Sequence, residues 1–407
     1  MKKLLIIVPF MLNAGGLKSI LNHIQDANLV KAKELQVEAK RSELRSVGKE
    51  AMPTVDLAGF LSDSNPRSFM QPGIMYGVSV KLKYAIYDGG LKHAKQGQKR
   101  FELASAKFNK SFFSKSLYLQ IVQDYYNIKS LDALITALKQ KQHTLNEQLK
   151  KTKVLVSSGF ATDDNLYSLK GAIALVKDNI NSLQFQRKSL LSLMSLKTNY
   201  RVKRVGNSHF VKRRVGFRAN DLIKALRMKQ RAMLSGAKMV KSATNPHINL
   251  DASYNIYGYG RSDRMHPEGL EHQAKINLSA GIRLFDGGAT KEKAQAIKLQ
   301  AMSLGFEIKQ KLQEQRVQYR LSKQKLSVAR EHIRAMRAQY QAQKKLFTTV
   351  KKQYESGLAD YVSYLDALSQ EVSAKANLAK ARYELEIAYA LYYYNAGYDI
   401  RKFVVGN

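Results

Sequence analysis

Residue types that usually carry catalysis are thin in this chain of 407 residues, which has no cysteine and eight histidines. The lack of Cys excludes thiolate metal sites, disulfides, Cys nucleophiles and an acylated N-terminal Cys. His266 and His272 share one segment but lack the spacing of a helical metal pair. No His-Glu-x-x-His, Walker or Gly-x-Gly-x-x-Gly pattern occurs. The expectation is therefore no enzyme, no catalytic residue, no cofactor and no metal. Tyr87-Asp88-Gly89-Gly90 and Phe285-Asp286-Gly287-Gly288 fit neither phosphate-binding fingerprint. They read instead as helix N-caps with glycines allowing a sharp turn.

What remains is charge. Lys plus Arg number 68 against 32 acids, a formal net charge of +36. Such a balance points to an anionic partner. Arg201 to Arg218 carries seven Lys or Arg, with Phe210 and Phe217 interleaved. Alone, that segment reads as a nucleic-acid patch. Nothing else in the chain resembles a nucleic-acid module, so no nucleic acid is expected. A composition of 44% hydrophobic and 25% charged residues is that of a folded protein.

The elements that position these residues are written twice. Asp88-Gly-Gly recurs at Asp286, and Ser158-Gly159-Phe160-Ala161 recurs as Ser356-Gly357-Leu358-Ala359, both at an offset of 198. Pro53 and Pro246 open the corresponding strand regions at an offset of 193, so five residues were gained or lost between Pro and Asp-Gly-Gly. Apolar Ile74, Tyr76, Val78, Val80, Leu82, Tyr84 and Ile86 alternate with Met75, Gly77, Ser79, Lys81, Lys83 and Ala85. Ile276, Leu278, Ala280, Ile282 and Leu284 alternate with Lys275, Asn277, Ser279 and Arg283. Period two with one oily and one polar face predicts amphipathic strands. Shorter partner runs begin at Val55 and Ile248.

Past each Asp-Gly-Gly the period changes to seven. Leu312, Tyr319, Leu326, Ile333, Tyr340, Phe347 and Tyr354 form one seam, with Ala329, Met336 and Val350 three residues after their neighbours. Ile121, Ile128, Ile135, Leu149 and Val156 repeat it in the first half, where Gln142 interrupts the frame. Some 70 helical residues span roughly 105 Å. Gly159 and Gly357 then turn each long helix back as a hairpin.

The boundaries expected are a secretory signal over 1–14 (basic Lys2-Lys3, then apolar Leu4 to Leu12) and a first repeat over 15–199. In that repeat strands fall at about 53–61 and 73–87, a long helix at about 89–157 and a hairpin tip at 158–162. A basic segment follows over 200–217, then a second repeat over 218–397 and a C-terminal tail over 398–407. The second repeat has strands at about 246–259 and 273–286, a long helix at about 288–356 and a tip at 356–360. No stretch is long and apolar enough for a membrane helix, so any crossing must use strands. Four strands cannot close a barrel, and an open amphipathic sheet leaves its edges and oily face bare. Pooling strands between chains solves both.

The doubled architecture, the paired Tyr/Phe-Asp-Gly-Gly turns and the two Ser-Gly-Phe/Leu-Ala turns make the chain resemble the TolC-like outer-membrane efflux proteins, from about Leu17 to about Gly397. The resemblance implies a mainly α fold with a β-barrel part, built from duplicated long-helix coiled-coil hairpins and four amphipathic strands per chain. It implies a homotrimer whose twelve strands form one barrel in outer-membrane lipid, continuing into a helical tunnel across the periplasm. Such a duct meets a periplasmic adaptor and an inner-membrane efflux pump or secretion transporter, and catalyses nothing. Cargo, whether drug, metal or protein, is chosen by the transporter. The other reading is a soluble basic coiled-coil protein binding nucleic acid or an anionic scaffold, which has no use for amphipathic hairpins.

The resemblance also assigns residues. Gly159 and Phe160, with Gly357 and Leu358, are expected at the tips that meet the adaptor; the glycines serve equally as hairpin turns. The pore constriction falls on Ser363 and Asp366 after the second tip and on Asn165 after the first. Tyr354 matches a tether tyrosine, although Ala359 replaces its arginine partner and the same tyrosine belongs to the heptad seam. Lys81, Lys83, Lys275 and Arg283 are expected in the barrel lumen, where they hydrate the channel or favour anionic solutes.

Overall fold

The computed structural model describes residues 16–65, 73–159, 162–260 and 271–406. The predicted signal over 1–14, Phe160 and His266 lie outside the described residues. The chain divides into two compact units, one of residues 34–109 and 222–311, the other of residues 1–33, 110–221 and 312–407.

The first unit is organised by a four-stranded antiparallel sheet of order β1-β2-β4-β5. Its strands are β1 (Thr54–Asp63), β2 (Ile74–Tyr87), β4 (His247–Tyr259) and β5 (His272–Gly281). Register gathers the apolar positions on one face. Leu57 faces Val80, which faces Tyr254; Val55 faces Leu82, which faces Ala252 and then Ile276. Gly59 pairs with Val78 and keeps the alternation of β1 unbroken on that face. The other face aligns Asp56, Lys81, Ser253 and Lys275, then Thr54, Lys83, Asp251 and Asn277. On it the Ser79 hydroxyl donates to Asn255 Oδ1 at 2.6 Å.

The last strand ends earlier than its alternation predicts. Gly281 pairs with His247, the first residue of β4, and Pro246 lies before it. Residues 282–286 therefore run past the end of their neighbour, and Arg283 lies beyond the ladder rather than on it. β2 stays paired with β4 as far as Tyr87, beyond Lys83 where its pairing with β1 ends.

Strand passes to helix at the Asp-Gly-Gly turns, leading into α3 (Leu91–Ser157) and α6 (Ala289–Glu355), each of 67 residues. Asp88 accepts from Gly90 N–H at 3.1 Å and Lys92 N–H at 2.7 Å. Asp286 accepts from Gly288 N–H at 3.0 Å and Thr290 N–H at 2.9 Å. Both carboxylates thus cap orphan donors of a first turn. Gly89 sits at φ 66°, and a Cβ there would lie 2.7 Å from Asn245 Cβ. Helices α2 (Asn28–Lys49) and α5 (Asp221–Lys241) flank this unit. Lys99 on α3 bridges Glu43 at 2.8 Å and Glu102 at 3.1 Å.

The second unit packs the C-terminal lengths of α3 and α6, from residues 110 and 312 on, with α4 (Asp163–Thr198), α7 (Tyr361–Asn395) and the short α1 (Leu17–His23). On α6 the less exposed positions from 312 to 354 recur every three and four residues. The seam is as the apolar heptad predicts, and its remaining positions are polar: Gln315, Ser322 and Gln343. Gln315 is satisfied by Asn220 N–H at 3.0 Å and the carbonyls of Arg218 and Asn395 at 2.9 Å each.

The basic segment 200–217 is a strap pinned by tyrosine hydroxyls. Tyr125 donates to Gly206 O at 2.8 Å, Tyr126 to Ser208 O at 3.0 Å and Tyr319 to Val215 O at 2.7 Å. Its strand β3 (His209–Phe210) pairs with β6 (Val404–Val405). The segment read from sequence as a tail is thus part of the core, where Ile400, Phe403 and Val404 are buried. No described helix is long and apolar enough to cross a membrane.

Candidate gate, hairpin ends and barrel face

The second hairpin end is built by its own backbone. Gly357, at φ 77°, follows α6; its N–H donates to Tyr354 O at 3.1 Å and the Leu358 N–H donates to Gln353 O at 2.8 Å. That pair of bonds satisfies the last carbonyls of the helix and requires a left-handed residue. Asp360 caps α7 by accepting from Ser363 N–H at 2.6 Å, and this bond holds its carboxyl below the usual range. Leu358 is left 82% exposed between the two caps. The first hairpin end has Gly159 at φ 74°, exposed, with Asp163 and Asp164 in the first turn of α4.

The four residues expected at the constriction do not converge within the chain. Ser363 and Asp366 lie one helical turn apart on α7, both exposed. Asn165 is half-buried on α4. Tyr354 turns inward: its ring stacks on Tyr364 with centroids 4.9 Å apart, and its hydroxyl accepts from Gln148 Nε2 at 2.9 Å. Burial raises its pKa, and burial together with Tyr354 pushes Tyr364 up to about 12. These rings stay neutral at physiological pH and act as packing. The Tyr361 hydroxyl is buried with no hydrogen-bond partner.

Sequence reasoning did not find the groups that tie the two hairpins together here. Lys141 on α3 donates to Ser369 on α7, and Lys375 on α7 donates to Gln140 on α3 at 2.7 Å. Burial lowers the pKa of Lys141. Gln148, Lys141 and Gln140 are polar residues in a helix read for its apolar period, so that period carried no signal for them.

On the sheet, Lys81, Lys83 and Lys275 share the polar face, all exposed, and Lys83 approaches Asp56 at 3.8 Å. The opposite face is apolar and uncovered, with Leu57 74% and Ile276 79% exposed. β1 and β5 are edges with no further strand beside them among the described residues. A soluble chain that showed such a face and such edges would aggregate. A barrel in lipid needs both.

The family pattern described as outer membrane efflux protein matches residues 22–197 and 218–392, most of the chain. The chain belongs to the outer membrane efflux protein family. Like its family, this outer membrane efflux protein is a non-enzymatic conduit of the outer membrane that extends into the periplasm. Solved structures of similar fold include the outer membrane protein VceC from Vibrio cholerae, at TM-score 0.79 and 14% identity, covering 94% of this chain and 96% of that one. The CmeC outer membrane channel of Campylobacter jejuni matches at TM-score 0.80 and 14% identity, covering 94% and 85%. The open state of the MtrE outer membrane channel of Neisseria gonorrhoeae matches at 0.78 and 14%, covering 94% and 89%. No curated protein matches the sequence. The efflux protein's fold is that of these channels: mainly α, with duplicated long-helix hairpins and four strands contributed to a barrel.

Proposed function

We propose that three copies of the chain pool their sheets into one twelve-stranded barrel and form a passive exit duct for solutes passed on by an inner-membrane transporter through a periplasmic adaptor. The observation that carries this reading is the sheet itself, with an oily face, a polar face and two open edges in one chain. Its strands are 10 to 14 residues long. About 9–11 tilted residues suffice to cross a bilayer. Pairing β5 of one copy with β1 of the next removes every edge and turns the oily face to lipid. Lys81, Lys83 and Lys275 then hydrate the lumen, with Asp56 and Asp251 offsetting part of their charge. The test is assembly and conduction. Heat-labile trimers in outer-membrane fractions and conductance in planar bilayers are expected; a soluble monomer overturns the reading.

At the far end the reading assigns Leu358 and Phe160, with Gly159 and Gly357 as their turns, to adaptor contact. It places three Asp366 carboxylates in one ring, with Ser363 and Asn165 beside them. A ring of like charges in a narrow pore favours cations. Tyr354 packs in its own seam with Gln148 and, with Ala359 in place of an arginine, forms no charged latch. Asp366→Asn is expected to weaken cation selectivity or cation block in single-channel recordings; unchanged selectivity removes Asp366 from the constriction.

A further inference from the structure

Most basic side chains of this protein are dispersed along solvated helices, but one group of them is not. On the strap, Lys212, Arg213 and Arg214 line a hollow of ≈ 500 Å³. Lys323 and Arg330 of α6 face them across it. A second hollow of ≈ 450 Å³ shares Lys212 and Arg330 and adds Arg334, Arg337 and, from α7, Arg382. The α6 cations at 323, 330, 334 and 337 fall on one face of the helix and cover about 21 Å at 1.5 Å per residue. Beneath them the floor is apolar and aromatic, with Leu326, Tyr389 and Tyr392 in the first hollow and Ile333 and Leu385 in the second.

The groove is short of negative charge. Its one lining carboxylate, Glu386, is turned inward and accepts from Phe210 N–H at 2.7 Å. Arg334 pairs with Glu331 at 2.8 Å, while Lys212, Lys323, Arg330, Arg337 and Arg382 have no ion pair among the described residues. Arg330 is nonetheless held in place: Nη2 donates to the buried Tyr389 hydroxyl at 2.6 Å, and the guanidinium lies 5.9 Å from that ring's centroid. Some cations elsewhere are neutralised, as Lys99 is by Glu43 and Glu102, whereas here several converge on one groove. Like charges collected without partners repel one another unless something anionic joins them.

We propose that this groove binds an extended acidic segment of a partner protein, with carboxylates on the flanking cations and interleaved apolar side chains on the floor. Arginine forks take carboxylates bidentately, and an extended chain advances about 3.3 Å per residue, so some six residues fill the α6 stripe. A bare polyphosphate leaves the apolar floor unused. A single-stranded nucleic acid needs open ring faces for stacking; of the rings lining the groove, Tyr389 and Tyr392 are 2% and 4% exposed and Tyr319 is already stacked on Tyr392. The segment comes from another protein, because no six consecutive residues of this chain hold more than two carboxylates. The groove belongs to a single chain, so its test does not depend on trimer assembly or conduction.

The experiment uses the full chain in detergent and fluorescence anisotropy with a labelled Glu-Val-Glu-Val-Glu-Val peptide. Binding that weakens with salt is expected, with a Lys-Val peptide of equal length failing to bind. The double variant Lys212→Glu/Arg337→Glu is expected to lose at least about tenfold in affinity and Arg382→Glu severalfold. Lys351→Glu, on α6 away from the groove, is expected to stay within about twofold. Far-UV circular dichroism verifies that each variant is folded. Affinity unchanged in both groove variants, an equal loss in Lys351→Glu, or tighter groove-dependent binding of inorganic polyphosphate overturns the proposal.

Discussion

At position 126 α3 carries a tyrosine whose ring is buried and whose hydroxyl holds the strap at Ser208. The equivalent position of α6, 198 residues later, is the exposed Gln324. The same contrast runs through the second-unit length of the two helices. Tyr118 answers to Arg316, Tyr125 to Lys323 and Leu145 to Gln343. The helices have equal lengths and equal places in their repeats, yet α3 is packed on several sides of its second-unit length while α6 buries one stripe. Duplication copied the path of the backbone and left the surroundings to diverge. α3 buries Tyr118, Tyr125 and Tyr126, whereas α6 keeps one seam and carries Lys and Arg over much of its remaining surface.

The sharpest way to break this comparison is a matched truncation. Tyr126→Ala is expected to cost about 3–5 kcal/mol in denaturant unfolding, and Gln324→Ala to stay within about 0.5. Equal effects at the two sites reject this contrast in burial. Gln315→Ala comes next. It removes three part-buried hydrogen bonds to backbone groups, an expected loss of about 1–3 kcal/mol by the same measurement. Gln343→Leu makes α6 resemble α3 where α3 has the buried Leu145. The Gln343 Oε1 is buried with no partner. The variant is therefore expected to be neutral or more stable by about 1 kcal/mol, whereas Gln148→Leu, which strands the Tyr354 hydroxyl, costs about 1.

The smallest effect is one of pH. Burial raises the pKa of Glu386, against the opposing pull of Phe210 N–H and Lys212. The folded state then holds this proton more tightly than the unfolded one, so its contribution to stability is present below the ordinary glutamate pKa and lost as pH rises through the raised value. Glu386→Gln is expected to flatten that decline in melting temperature measured from acid to neutral pH.

Much of the architecture could be read because periodicity is a property of the chain alone. The alternation from Ile74 to Ile86 and the heptads from Leu312 to Tyr354 each mark one buried side. Gln315 and Ser322 lie on the same seam but are invisible to an apolar count, because their burial depends on carbonyls and N–H groups supplied from elsewhere. β5 stopped at Gly281 because β4 begins at His247, a limit set by the neighbour. Of the candidate site, the turns at Gly159 and Gly357 follow from helix termination, whereas the inward stacking of Tyr354 depends on Tyr364 and Gln148 across two other helices. The basic groove joins residues near 212, 330 and 382, whose proximity no local pattern encodes.

The two hairpins carry a record of where this molecule accepts length. From the start of β1 to the start of β2 is 20 residues, and from β4 to β5 it is 25. β4 has 13 residues where β1 has 10, and the connection after it supplies the rest. Over the same history neither 67-residue helix gained or lost a net residue relative to the other. One residue inserted in a helix turns everything beyond it by about 100° and takes the seam out of contact. A hairpin end absorbs added residues in water at little cost. The connection between β4 and β5 is accordingly the place to splice an epitope or affinity tag into this protein, and the long helices are the place to avoid.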